Sequence, residues 1–239
     1  MNFQKIIFLI GICCISGTLM AQGDPHGVEN LPKYENEVLH FGFSLAANST
    51  NFIIQEANMP SNDSVRSVLA SPELGFNLGI ISDVRLQRYL TIRFLPDLSF
   101  SQRDLTYQID GKKDTLQWVK KVASTFLDFP IDLKLRSARY QNASAYILGG
   151  FKYIIDLASQ RNATNTEDPR TQIVKLVKPD WGYEFGAGVE FYLPYFKFGI
   201  EGKLSTGINN VLVNDHTVFS NSIEQLKSKV FLLSFTFEG

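Results

Sequence analysis

Residues 128–136, DFPIDLKLR, alternate without interruption. Asp128, Pro130, Asp132, Lys134 and Arg136 fall at one set of positions, and Phe129, Ile131 and Leu133 at the other, flanked by Leu127 and Leu135. Successive side chains of a strand point to opposite faces, so this pattern predicts a strand with one apolar and one charged face. From Glu37 onward the theme recurs and predicts eight strands. The first three lie near 37–46, 73–82 and 89–102, and the fourth contains 128–136. The last four lie near 144–156, 181–192, 195–206 and 228–238. Their apolar faces are rich in Phe and Leu, as in Leu39, Phe41, Phe43 and Leu45, or Phe231, Leu233, Phe235 and Phe237.

The connections alternate in length. Strands one to two, three to four, five to six and seven to eight are joined by long polar segments. The others are joined by DVRLQR, SARYQN and LP. Short turns at one end and long loops at the other characterise outer-membrane barrels, and an even strand count returns both termini to one side. The expected fold class is therefore all-β: an eight-stranded antiparallel transmembrane β-barrel, with short periplasmic turns and long extracellular loops. A soluble sandwich with its charged face in water is the competing reading. Tyr89, Tyr140, Tyr192 and Tyr195 beside the short turns, with Trp181 at the other end, resemble interface girdles and favour the barrel. Pro130 cannot donate to a ladder and predicts a bulge or a missing hydrogen bond.

The second face then becomes a lumen. It carries Arg93 and Asp97 on strand three and Asp128, Asp132, Lys134 and Arg136 on strand four. Strand five adds Lys152 and Asp156, strand six Glu184 and Glu190, and strand seven Lys197, Glu201 and Lys203. Eight strands leave an interior only wide enough for side chains, so these charges are expected to pair as a structural network. Asp128, Asp132, Lys134 and Arg136 are expected to meet Lys152, Glu184 and other neighbouring-strand groups. Glycines 182, 186 and 188 on the same face are read as relieving crowding.

The N-terminus adds an address. Residues 1–21 combine Lys5, the apolar run IIFLIGICCISGTLM and Ala21, which predicts a cleaved signal peptide. An uncleaved anchor is the alternative, and Ile12 before Cys13 makes a poor lipoprotein site. Residues 22–36 read as a periplasmic N-terminal tail, and 37–239 as the barrel, in the cell outer membrane. The only two cysteines, Cys13 and Cys14, lie in the signal, so no disulfide or thiol chemistry is expected in the mature chain. A net charge of -1 gives no basic field for nucleic acid.

Candidate chemistry is sparse. The three histidines, His26, His40 and His216, have no metal-ligand spacing. His40 is read as a lumen histidine in the polar network. His216 with Asp215 and Ser220 is read as a polar loop, because a triad is defined by geometry and not adjacency. The glycine-rich GFNLG and GAGVEF lie within strands and lead into no helix, so they are not phosphate loops. No catalytic, cofactor-binding or metal residue is expected, no cofactor, and no small-molecule substrate.

Four stretches carry a resemblance: STFLDFPIDLKLRS at 124–137, YILGGFKYIIDLAS at 146–159, GYEFGAGVEFYLPYFKFGIE at 182–201 and NSIEQLKSKVFLLSFTFEG at 221–239. They resemble the PorT family, small outer-membrane barrels of Bacteroidota that serve the type IX secretion system. The resemblance implies a non-enzymatic role in exporting cargo that carries a C-terminal secretion domain. It also implies other type IX components as partners, beside outer-membrane lipid and lipopolysaccharide. Because a filled eight-stranded barrel cannot pass a folded protein, the role is that of an accessory, scaffold or assembly factor. A general structural or adhesive barrel with ligand-binding loops is the alternative. Residues 47–72 and 103–124 carry no part of the resemblance.

Overall fold

The computed structural model describes residues 29–57, 65–110, 115–157, 176–214 and 217–239. The predicted signal peptide, His26 and His216 lie outside them. Among the described residues nine strands form one sheet: β1 (Leu39–Glu56), β2 (Val65–Gln87), β3 (Leu90–Phe94), β4 (Asp97–Asp110), β5 (Thr115–Arg136), β6 (Ala143–Asp156), β7 (Pro179–Tyr192), β8 (Lys197–Gly207) and β9 (Ile223–Glu238). Every pairing is antiparallel, and β9 pairs with β1 from Gly42↔Glu238 to Glu56↔Ile223, which closes the sheet. The ring has eight strands, because β3 and β4 are one barrel strand interrupted at Leu95–Pro96. Phe94 pairs with Ser82 and Ile131, and Asp97 with Gly79 and Asp128.

That interruption is where the proline effect falls. β5 and β6 stay in register through Pro130↔Lys152, so Pro130 makes no bulge on that side. On the other side the Leu95 amide donates to the Pro130 carbonyl at a long 3.4 Å. A bonded antiparallel pair exchanges two bonds, and proline can supply only the acceptor. The ladder breaks opposite it.

Burial follows the alternation. Along 128–136 the even positions from Asp128 to Lys134 are buried, Arg136 is half-buried, and Ile131, Leu133 and Leu135 are exposed. The outward belt continues through Phe41, Phe43, Leu78, Ile147, Phe185 and Leu233. No helix of the described residues is long and apolar enough to cross a membrane. The sheet does so, with its apolar face outward and its backbone ladder closed around the ring apart from the interruption at Leu95–Pro96. Tyr89, Tyr140 and Tyr195 stand exposed at the short turns, and Trp181 stands exposed against Tyr153 with 4.8 Å between ring centroids. Tyr192 departs from the expected girdle. It is 1% exposed, because Phe191 takes the outward position and the alternation turns Tyr192 into the bore.

The strands are longer than expected. β1 has 18 residues, β2 has 23 and β5 has 22. Most of 47–72 and 103–124, expected as loop, is strand. Pairing between β1 and β2 stops at Thr50↔Glu73, and β5 leaves β6 above Phe126↔Asp156, while β4 and β5 continue to Asp110↔Thr115. Above those points the described wall divides into a β1–β9 pair and a β2–β4–β5 sheet. Phe52, Val65, Val68, Leu105, Tyr107, Val122, Ile223 and Leu226 pack between them as an apolar core. A short helix, α1 (Val218–Asn221), covers this loop end. Thr217 caps it by accepting from the Ser220 amide at 3.2 Å.

Candidate functional site: a filled bore with two closed ends

All thirteen charged residues assigned to the lumen face the bore, and all but the half-buried Arg136 are buried. The central group is Arg93, 0% exposed on β3. Its Nε and Nη2 each donate to Asp83 at 2.8 Å, Nη2 also to Glu238 at 2.6 Å, and Nη1 to Glu201 at 3.3 Å. A planar guanidinium carries five N–H donors in a fixed fork, so one side chain can donate to three carboxylates at once. Lys197 lies between Glu190 at 2.9 Å and Glu238 at 2.6 Å, and Lys134 pairs with Glu190. Tyr146 closes the tier by donating its hydroxyl to Glu201 at 2.7 Å. Its ring lies across Gly188, where a Cβ would come within 2.6 Å of the phenol oxygen. The Lys134 ammonium sits 4.2 Å from the Tyr146 ring centroid.

A second tier lies toward the loops. Lys203 meets Glu184 at 2.9 Å, Glu201 at 3.7 Å and Asp132 at 3.9 Å, and Lys152 meets Asp128 at 2.9 Å. The partners differ in part from expectation: Lys134 takes Glu190, and Glu184 takes Lys203. Farther up, neutral donors also serve the carboxylates. Asp97 accepts from Asn77 at 2.5 Å, Asp156 from Ser124 at 3.2 Å, and Asp180 from the Trp181 amide at 2.8 Å. Arg103 sits between Phe52 and Phe126, 4.2 and 4.9 Å from their centroids, and donates to Ser228 and Ser124.

Sequence reasoning missed four buried charges: Asp83, Arg103, Asp180 and Glu238. Asp83 and Asp180 fall just outside the strand bounds read from the alternation. Arg103 fell in a stretch read as loop. Glu238 keeps the inward phase of Ser234 and Thr236, a signal that was present. With them, the bore holds ten carboxylates against seven bases, Arg136 included, among the described residues. The excess lies toward the loop end, where Asn77, Ser124 and the Trp181 amide each donate to one carboxylate, while both oxygens of Asp132, Oδ1 of Asp128 and Oδ2 of Asp180 have no hydrogen-bond partner among the described residues.

Both ends are closed. At the turn end, residues 29–36, expected as part of the periplasmic N-terminal tail, form a strap across the mouth. Its 3-10 turn, Tyr34–Asn36, inserts Tyr34 into the bore. Tyr34 stacks on His40 at 3.8 Å between centroids, meets the Tyr192 ring edge-on at 6.0 Å, and donates to Glu238 at 3.0 Å. Burial, and then the adjacent Glu238 carboxylate, push the Tyr34 phenol far above its usual range, so it remains a donor. Glu35 pairs with Arg136 at 3.1 Å, and its carbonyl accepts from Arg85. His40 joins an aromatic stack and not the polar network, since neither ring nitrogen has a hydrogen-bond partner. At the loop end, Phe219 of α1 packs edge-on against Tyr107 at 4.8 Å. Ser220 serves the helix cap. No group of His, Cys, Asp or Glu among the described residues could hold a metal ion.

A closed antiparallel ring with an apolar belt and a charged bore is membrane-barrel geometry. The family model described as "Outer membrane protein beta-barrel domain" matches residues 20–213. The chain belongs to that family. Its place is accordingly the outer membrane. Among solved structures it is similar to outer membrane protein OprG from Pseudomonas aeruginosa, at 14% identity and a TM-score of 0.44, covering 90% of this chain and 99% of that one. It is also similar to outer membrane protein AlkL in lipid bilayers, at 10% identity and a TM-score of 0.45, covering 90% and 92%. Neisserial surface protein A is similar at 11% identity and a TM-score of 0.42, covering 83% and 95%. No curated protein matches the chain.

Proposed function

We propose that this barrel is a non-enzymatic component of type IX protein secretion, acting by contact with other components as an accessory, scaffold or assembly factor. The observation that carries the contact mechanism is the bore. Arg93, Lys197 and Lys203 bind carboxylates from several strands across it, Tyr34 closes one end and the apolar core closes the other. A polypeptide cannot thread such an interior, so any part in export is played by the two ends and the outer wall. The assignment to type IX secretion rests on the PorT-like stretches FPIDLKLRS, which runs along β5, and FYLPYFKF, which crosses the β7–β8 turn. Partners are outer-membrane lipid, including lipopolysaccharide, and other components of the same machinery.

A clean deletion in the native host tests this reading. Cargo with a C-terminal secretion domain should accumulate in the cells and disappear from the medium, while unrelated outer-membrane proteins stay at normal levels. Normal cargo secretion would refute it. One observation favours a second reading, that of a structural or adhesive barrel: the wall continues past the belt into an ordered two-sheet end. Replacing 47–72 and 103–124 with short turns separates the two. Loss of surface binding with secretion intact would favour the adhesive role.

A further inference from the structure

The turn end holds a polar cleft of about 200 Å3 between the strap and the β2–β3 and β5–β6 turns. Arg88, Arg136 and Arg139 line it, together with Tyr89, Glu29 and Glu35. Two of the arginines are fixed from behind. Arg139 donates to the carbonyls of Gln141 and Asn30, each at 2.6 Å, and to the Asn142 amide oxygen at 2.7 Å. Its guanidinium lies 4.0 Å from the centroid of the Tyr192 ring. Arg136 binds the Tyr192 hydroxyl, the Arg88 carbonyl at 3.2 Å and the Glu35 carboxylate at 3.1 Å. Glu35 is thereby neutralised. The third arginine is different. Arg88 is exposed, and the contact its guanidinium makes among the described residues is with the Tyr89 ring, at 5.4 Å.

The cleft therefore presents one uncommitted guanidinium beside two that are held rigid with N–H groups to spare. Pre-positioned arginines suit tetrahedral oxyanions, whose oxygens accept charge-assisted bonds from several donors at once. Location narrows the ligand. Tyr89 is both a wall of the cleft and one of the exposed tyrosines, with Tyr140 and Tyr195, that rim the apolar belt. Such rings lie at the level of lipid headgroups. Basic pockets at that depth recognise phosphate-bearing headgroups. We propose that this cleft binds a phosphate group, with Arg88 as the ligand-facing residue and Arg139 as the second contact. The source with direct access is an anionic phospholipid of the leaflet on the turn side, and free phosphate carries the same chemistry. This proposal is independent of the secretion role.

The full chain, reconstituted in nanodiscs of phosphatidylcholine with or without phosphatidylglycerol, tests it. Native mass spectrometry counts retained lipid, and calorimetry in phosphatidylcholine discs measures binding of inorganic phosphate. Wild type should retain phosphatidylglycerol over phosphatidylcholine. Arg88→Gln should lower that preference about tenfold, the scale of one lost hydrogen bond to a charged group. Arg139→Gln should lower it too, and the exposed Arg88 variant separates ligand loss from any disturbance of the strap. Phosphate binding without lipid retention, lost in Arg88→Gln, would keep the site and assign it to a soluble anion. No preference for either probe, or an Arg88→Gln variant that binds like wild type, overturns the proposal.

Discussion

Whether a charge stabilises or ruins this protein depends on which way its Cα–Cβ bond points. Ile131 and Asp132 are neighbours, yet one is 59% exposed on the belt and the other is buried in the bore. Ile131→Arg places a cation against lipid and should cost about 2–4 kcal/mol, the range for arginine near the midplane of such barrels. Urea unfolding in bilayers measures it, and a variant that inserts and unfolds like wild type would mean the faces are reversed. In the bore the penalty comes from removing a charge. Arg93→Met leaves Asp83, Glu201 and Glu238 facing one another without their shared cation, a loss of about 3–5 kcal/mol for breaking a buried network from one side. Arg93→Lys keeps the charge and loses the fork, so its unfolding midpoint should fall between the other two. The single-residue layer was the most legible part of the sequence. The alternation in DFPIDLKLR assigns a face to each of its nine residues, and their burial follows it. Charges at strand ends were less legible, because Asp83 and Asp180 lie where the apolar partner positions of the pattern give out.

At the scale of elements, the alternation has two meanings in one strand. In β4 the belt portion turns Ser99 and Ser101 inward, while a few residues on, Leu105 and Tyr107 point inward and Gln102, Asp104, Thr106 and Gln108 face outward. Lipid outside demands an apolar outer face, and water outside demands the reverse. A sequence read with the membrane rule alone sees the second half of β4 as polar loop, and the same inversion hid most of 47–72. The strap was illegible for another reason. Its interactions are long-range, as between Tyr34 and Glu238, and nothing local in YEN signals them. Those contacts also make the strap a brace on the β1–β9 seam, the pairing with the greatest sequence separation in the ring. Tyr34→Phe removes one hydrogen bond and should cost about 1 kcal/mol. Tyr34→Ala also removes the ring stacked on His40 and should cost about 3 kcal/mol. The temperature at which the compact band converts to the unfolded one on semi-native gels reads this order. Equal shifts for the two variants would show that the ring's packing contributes nothing.

For the whole molecule, the decisive property is that the polar interior is a solid. A bore lined by like charges would repel itself open and conduct. Here Arg93, Lys134, Lys197 and Lys203 each bind carboxylates from other strands, so opening a path would separate several buried ion pairs at once. Each separation exposes charges that lack full hydration in so narrow a space, and the penalties add across the tiers. Removal of the strap alone does not change this, since Lys197 keeps Glu190 and Arg93 keeps Asp83 and Glu201 without Tyr34. Purified wild-type protein in planar bilayers should therefore show no steady ohmic conductance, and a variant lacking residues 29–36 should remain closed while losing thermal stability. Adding Arg93→Met to that deletion removes the cation that joins β2, β8 and β9 and should produce brief, irregular openings. A steady channel in wild type would mean that the tiers move as a gate, and the barrel would then act as a conduit for small solutes and not through its surfaces.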